Sequence, residues 1–232
     1  MHRVTGPLPV PSRKAGRQID PLVLTQAQRE ALMRIGMRQR LPPRTVVYRE
    51  GDEARWVFVI VEGAVKSYRE LRSGRRLVAC FLFERDLFGL ADNGRYVNTV
   101  ETLVRTTVYR LPIEDLAALL KHDGAMQFVF LSKVTYELRE AQRRATLIAR
   151  RDAAGRLAMF ISRMGERLGR NSTGIVPLPM SRTDIAAFTA LSLESVSRAA
   201  AALQRRNLVV FDDRHRARIV DPAGFARLTG AV

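Results

Sequence analysis

Between residues 123 and 151 the chain reads "DGAMQFVFLSKVTYELREAQRRATLIARR", and Leu131, Val134, Leu138, Ala141, Ala145 and Ile148 recur at intervals of 3, 4, 3, 4 and 3. That spacing is the seam of a coiled coil, with small residues toward its C-terminal half. A seam asks for a second helix. A stripe packed on the chain's own domain is the competing reading, but a helix of this length between two different sequence patterns is better explained as the axis of a homodimer. The seam divides the chain into a segment before it, residues 25–121, the helix itself, residues 122–151, and a segment after it, residues 152–232.

Before the seam the periodicity is that of strands. Between Leu41 and Leu111, "TVVY", "WVFVIV", "AVKSYREL", "RRLVACFLF", "YVNTVET" and "TTVYRL" are short β-rich runs. Gly51, Gly63 and Gly74 fall between such runs, as a small antiparallel sandwich or barrel requires. Trp56, Phe58, Phe81 and Phe83 are read as its core. A short helix precedes these strands, with Thr25 as its cap and Ala31, Leu32 and Ile35 on its apolar face. Another follows from Pro112, with Glu114 and Asp115 in its favourable first turn. Residues 1–24, with Pro7, Pro9 and Pro11 among basic residues, are read as a flexible arm.

After the seam the pattern is helical, with Gly155 and Gly169 as punctuation, and then compact. Ser181 caps "SRTDIAAF", with Asp184 three residues on in capping-box position. "TALS" turns the chain, and Ser192 caps "LESVSRAAAALQRRN". There Val196, Ala200 and Leu203 face inward, while Glu194, Ser197 and Arg198 face out. "LVVFDDRHRARIV" reads as two strands around a basic turn, followed by a turn at "DPAGFARL".

The 39 Lys and Arg against 23 Asp and Glu leave a formal charge of +16, and Arg dominates. A polyanionic partner suits that excess, although an Arg-rich genome would also raise it. Cys80 is the only cysteine, so there is no intramolecular disulfide and no thiolate cluster for zinc or iron–sulfur. His2, His122 and His215 are scattered and read as surface residues. No run reaches the ~20 apolar residues of a membrane span and the N-terminus lacks the apolar core of a signal peptide, so a cytoplasmic protein with no membrane partner is expected. No P-loop, G-x-S-x-G or paired metal-spaced histidines occur, and the chain is read as not an enzyme. Asp52 and Glu53 of "GDEAR" are read as solvated loop residues.

The order strands, long helix, two capped helices and basic hairpin resembles the Crp/Fnr family of bacterial transcription regulators. The resemblance rests on "GDEARWVFVIVEGAVK", similar to that family's β-roll signature, and on "LPMSRTDIAAFTALSLESVSR", similar to its DNA-binding signature. It covers about residues 25–228. "FLFERDLFGLADNGRYVNTVET" and "ELREAQRR" resemble the FixK-like branch of the Fnr type. The resemblance implies an α+β fold: an antiparallel β-roll of the cyclic-nucleotide-binding kind, a dimerisation helix and a winged helix-turn-helix. It further implies double-stranded DNA and RNA polymerase as partners, palindromic TTGA-type sites, and control of low-oxygen respiration or nitrogen metabolism, nitrogen fixation included.

The family's E-x-x-S-R recognition motif lands on Glu194, Ser197 and Arg198, whose chemistry suits base edges. Arg can grip guanine O6 and N7 with two bonds, Glu accepts from a cytosine amino group, and Ser is a short polar contact. Ser181, Arg182, Thr183, Ser192, Arg214, Arg216 and Arg218 are candidates for the DNA backbone.

Three departures sharpen the expectation. Ala190 stands where the family usually has Gly in the tight turn of the helix-turn-helix. Leu90 follows Gly89, and Tyr96 and Val97 fall where nucleotide-binding members carry Arg and Ser, with Arg95 out of register; no cyclic nucleotide, and no cofactor at all, is expected. Cys80 cannot by itself hold an oxygen-sensing cluster and is read as buried. The alternative function is a regulator whose β-roll senses haem or another effector and so shifts the dimer helix.

Overall fold

The computed structural model describes residues 24–169, 174–213 and 215–230, without the Asp213 side chain. The arm expected at residues 1–24 lies outside this range except for Leu24. Helix α1 (Gln26–Ile35) starts on a capping box, in which Thr25 Oγ1 accepts from the Gln28 N–H at 3.2 Å and the Gln28 side chain accepts from the Thr25 N–H at 3.0 Å. Leu32 is its buried residue facing the strands.

Strands β1 (Met37–Leu41), β2 (Val46–Tyr48), β3 (Trp56–Glu62), β4 (Ala64–Glu70), β5 (Arg76–Phe83), β6 (Leu87–Phe88), β7 (Ala91–Asp92), β8 (Arg95–Tyr96), β9 (Thr99–Thr102) and β10 (Thr106–Pro112) follow. They form two four-stranded antiparallel sheets, ordered β1-β10-β3-β6 and β2-β9-β4-β5, with β7 and β8 as a separate hairpin. The sheets close over Leu41, Phe58, Ile60, Val65, Leu82, Phe88, Val100 and Val108. In the register, Phe58 opposes Phe88 and Val65 opposes Leu82. Gly63 turns β3 into β4 at φ +103°, where a Cβ would meet the Arg105 carbonyl at 2.6 Å, so only glycine fits.

Strand β1 was not expected. Its sequence "MRQRL" exposes four residues in a row, because it is an edge strand and pairs only with β10. A second difference concerns the aromatic core. Phe58 packs inside the β-roll and Trp56 lies at its margin, but Phe81 and Phe83 point the other way and join the core of the C-terminal helices. Alternation along β5 places them on the opposite face from Leu82.

Helix α2 (Ile113–His122) leads into α3 (Gly124–Ala149), capped by Asp123, and α3 is followed by α4 (Ala153–Leu168). The break between α3 and α4 does not fall at Gly155. It falls at Arg150 and Asp152, both extended, and the Asp152 carboxylate caps α4 by accepting the Gly155 N–H. A carboxylate at an N-cap is a stronger helix boundary than a glycine three residues inside it. Gly169 does end α4, at φ +81°.

Strand β11 (Ile175–Pro177), helices α5 (Arg182–Thr189) and α6 (Leu193–Arg205), strands β12 (Val209–Asp213) and β13 (Arg216–Ile219), and helix α7 (Pro222–Thr229) complete the chain. The strands form one sheet in the order β11-β13-β12. The expected turn at "DPAGFARL" is helix α7, with Asp221 accepting the Gly224 N–H at 2.9 Å and Pro222 in the first helical turn. Both are N-terminal helix signals, and Gly230 closes the helix in the left-handed conformation.

Candidate nucleic-acid interface

Helices α5 and α6 are built as the sequence predicts. Ser181 and Asp184 form a reciprocal capping box at the start of α5. Ser192 caps α6 by accepting the Ser195 N–H at 3.0 Å. Between them Ala190 is left-handed, at φ 54° and ψ 39°, and its N–H is bonded to the Ala186 carbonyl. A residue with a Cβ is strained in that region by about 1 kcal/mol.

On α6 the inner residues Val196, Ala200 and Leu203 are buried, and Ala199 joins them. The outer face carries Glu194, Ser197 and Arg198, all exposed. Arg198 Nη1 lies 3.2 Å from Glu194 Oε1, one helical turn away, and Ser197 Oγ donates to the Leu193 carbonyl at 3.0 Å. An exposed pair of this kind is worth at most about 1 kcal/mol, so both side chains can be redirected to a partner at little cost. The three side chains form one contiguous polar face with no structural duty inside the chain.

Around this face lie the expected backbone-contacting residues. Ser181, Arg182, Thr183 and Ser192 are exposed at the two helix starts, and the Arg182 guanidinium lies 5.9 Å from the centroid of the Phe211 ring. Arg216 and Arg218 are exposed on β13, and Arg218 pairs with Asp212 at 3.0 Å. Arg214 lies outside the described residues.

The residues expected to form a dimer seam lie together along one side of α3. Leu131, Val134 and Leu138 are 62, 48 and 60% exposed, and Phe128 extends the stripe at 69%. Ala141 and Ala145 are exposed and Ile148 is half-buried. The opposite side of α3 is occupied: Met126, Phe130, Lys133 and Leu147 are buried against the rest of the chain.

Sequence reasoning missed the buried ion clusters beneath the interface. Asp86, in the turn between β5 and β6, accepts from Lys133 Nζ at 2.8 Å, from the Phe83 N–H at 2.8 Å, and from Arg167 of α4. Burial alone would depress the Lys133 ammonium, but Asp86 and Glu137 hold it above its ordinary value. Lys66 of β4 lies 2.8 Å from Asp184 of α5 and 3.1 Å from Glu101 of β9. Burial alone would raise the Asp184 carboxyl, but its hydrogen bonds from Lys66 and Ser181 hold it below the usual carboxylate range. The only available signal was a Lys inside the apolar run "AVKSYREL".

Cys80, expected to be buried, is only half-buried on β5, because it borders a cavity of about 130 Å³ beside Glu137, Ala141 and Arg167. Burial pushes its thiol up to about 12, against a weaker opposing pull from Arg167. A thiol so shifted is almost wholly protonated at neutral pH, and the protonated form is the unreactive one. His122 and His215 are exposed, and His215 Nδ1 is 3.2 Å from the Leu178 carbonyl. His2 lies outside the described residues. Among the described residues no three His, Cys, Asp or Glu side chains are grouped to hold a metal ion, and no helix is long and apolar enough to cross a membrane.

Residues 38–123 match the cyclic nucleotide-binding domain and residues 155–228 the Crp-like helix-turn-helix domain. The transcriptional activatory protein AadR of Rhodopseudomonas palustris is 30% identical over 210 residues, which cover 90% of this chain and 87% of that protein. The chain belongs to the Crp/Fnr family. The nitrogen fixation regulation protein FixK of Bradyrhizobium diazoefficiens is 27% identical over 188 residues, 80% of this chain and 79% of that one. The solved structure of FixK2 from Bradyrhizobium japonicum superposes with a TM-score of 0.77 at 28% identity, covering 84% of this chain and 97% of that one.

The α+β architecture of this Crp/Fnr protein is therefore the family's own: a β-roll, a long helix and a C-terminal helix-turn-helix with its wing. The family is one of DNA-binding transcription regulators, not enzymes, and α5 and α6 lie within the matched helix-turn-helix domain. A cyclic nucleotide, which the domain's name implies, does not fit the residues present. Leu90 offers no oxygen or charge next to Gly89. The Tyr96 hydroxyl is committed to the Trp56 carbonyl at 2.8 Å, and Arg95 is committed to the Gly51 carbonyl at 2.7 Å. The nearest cation, Arg95, is thus out of register and tied to the Gly51 carbonyl, and the paired cation and hydroxyl donor that hold a phosphodiester are missing at positions 96 and 97.

Proposed function

We propose that this protein is a homodimeric, cofactor-free transcription activator that binds palindromic TTGA-type DNA sites in the cytoplasm and contacts RNA polymerase. Residues 25–121 are its β-roll, 122–151 its dimerisation helix and 152–232 its winged helix-turn-helix domain. The observation that carries this reading is the outer face of α6: Glu194, Ser197 and Arg198 are exposed and adjacent, and the contacts described for Glu194 and Ser197 stay within their own helix. Ser181, Arg182, Thr183 and Ser192, with Arg214, Arg216 and Arg218 of the wing, grip the backbone and set the register without choosing a sequence.

The exposed apolar stripe on α3 supports the dimer. A two-fold axis along α3 presents two copies of α6 to half-sites about one DNA turn, ~34 Å, apart. The absence of an effector is supported by the misfit at Leu90 and Tyr96. The protein's target genes serve low-oxygen respiration or nitrogen metabolism, a reading supported by the name of one relative, the nitrogen fixation regulation protein FixK.

The test is selection of binding sites from random DNA with purified protein, followed by transcription in vitro with no added ligand. A TTGA-type palindrome and ligand-independent activation are the expected results. Enrichment of no palindrome, or transcription that needs an added effector, overturns the reading.

A further inference from the structure

The recognition helix has to be held at a fixed angle to the dimer axis if two copies are to meet two half-sites. The chain does not fix that angle by itself, because α3 and α4 are separated by extended residues at Arg150 and Asp152. The orientation comes from tertiary contacts of the C-terminal helices, some to α3, where Arg144 Nε donates to the Phe188 carbonyl at 3.1 Å and Glu140 pairs with Arg163, and others to the β-roll. Among these are an aromatic contact, Phe81 of β5 against Phe188 of α5 with ring centroids 5.3 Å apart, and the ion cluster around Lys66.

That cluster spans the two modules. Lys66 and Glu101 belong to the β-roll and Asp184 to α5, and each of these side chains is 14% exposed or less. Arg76 adds a second cation, 3.6 Å from the far oxygen of Glu101. Arg76 also lies 3.8 Å from the more exposed Glu70, so two cations link three carboxylates. Asp184 is also the partner of Ser181 in the capping box of α5, where it accepts from the Ser181 N–H, so the contact from the β-roll reaches the backbone of the reading unit rather than a mobile tip. A buried ion pair adds little net stability over an apolar pair, but it is strongly directional, and removal of one partner strands the other.

We propose that Lys66 is a positioning residue for DNA reading: from the β-roll it holds Asp184, and with it the helix-turn-helix, at the angle a palindrome requires. This rests on the DNA-binding reading above. In effect the β-roll performs from its own sequence the orienting task that an effector would otherwise perform.

The experiment uses the full chain with Lys66→Met, Asp184→Asn, both together, and Lys66→Arg. Affinities for the selected palindrome and for random DNA are measured by fluorescence anisotropy, with helix content and thermal melting as checks on folding. Each of Lys66→Met and Asp184→Asn should lose about tenfold or more on the palindrome and little on random DNA. The double variant should lose no more than the worse single one, and Lys66→Arg should recover most of the affinity. Additive losses, equal losses on both DNAs, or a palindrome affinity for Lys66→Met within about twofold of the parent overturn the proposal. Amide hydrogen exchange without DNA provides a separate readout: α5 should exchange faster in Lys66→Met while α1 does not change. If the parent protein prefers no palindrome, the DNA reading falls. Unchanged exchange in α5 then overturns the clasp as well, and faster exchange supports it.

Discussion

Helices α3 and α6 each bury one side and leave the other unclaimed, but what they leave is opposite in character. On α3 the open side is Phe128, Leu131, Val134 and Leu138; on α6 it is Glu194, Ser197 and Arg198. A contiguous apolar stripe gains by removal from water, at roughly 25 cal/mol per Å² of area, and so suits a copy of itself. A polar face gains nothing from burial without partners for its hydrogen bonds, and the edges of base pairs supply those partners. One face therefore suits assembly and the other recognition. A single helix could not do both without losing specificity in one of them.

The contrast is most directly broken at the apolar face. Leu131→Glu with Leu138→Glu places two carboxylates in the seam while touching nothing the chain itself buries. Light scattering should show a monomer, and palindrome affinity should fall by about 10³-fold or more, toward the non-specific level. A variant that stays dimeric would move the two-fold axis away from α3.

At the polar face the expected effects are smaller and sequence-dependent. Arg198→Ala should lose roughly 1–3 kcal/mol of discrimination at the contacted guanine and little stability, since its pair with Glu194 is exposed. Arg216→Ala should instead weaken all DNA alike and flatten the salt slope by about one. Competition with single-base variants of the site, across a salt series, separates the two. Equal loss on specific and random DNA for Arg198→Ala would remove it from the base-reading set.

The smallest effect belongs to the turn that joins the recognition helix to its support. Ala190 is left-handed, so Ala190→Gly should stabilise the protein by about 1 kcal/mol and raise Tm by about 2–4 °C in a calorimetric scan. An unchanged or lower Tm would mean that the stiffer residue is compensated elsewhere, through the larger unfolded-state entropy of glycine.

Much of this arrangement was legible from local pattern. The caps at Thr25, Ser181 and Ser192, the seam along α3, the inward triad of Val196, Ala200 and Leu203, and the strain at Ala190 all depend on residues within a few positions of one another. The misreadings have equally specific causes. Strand β1 carries no alternation because it is an edge. Helix α7 was taken for a turn although Asp221 and Pro222 mark a helix start. Phe81 and Phe83 were assigned to the β-roll because alternation says that two faces differ, not which module lies against each.

The sequence by itself determined most of the elements, the faces they expose and the residues proposed for DNA, because periodicity and capping are short-range effects of backbone geometry. Only the tertiary structure decided which distant charges meet. Asp86 finds Lys133 and Arg167, and Lys66 finds Asp184, across separations of 47, 81 and 118 residues. No local rule encodes such pairs. They form because a buried charge must be matched, and the match is made by whatever chain the fold brings within reach.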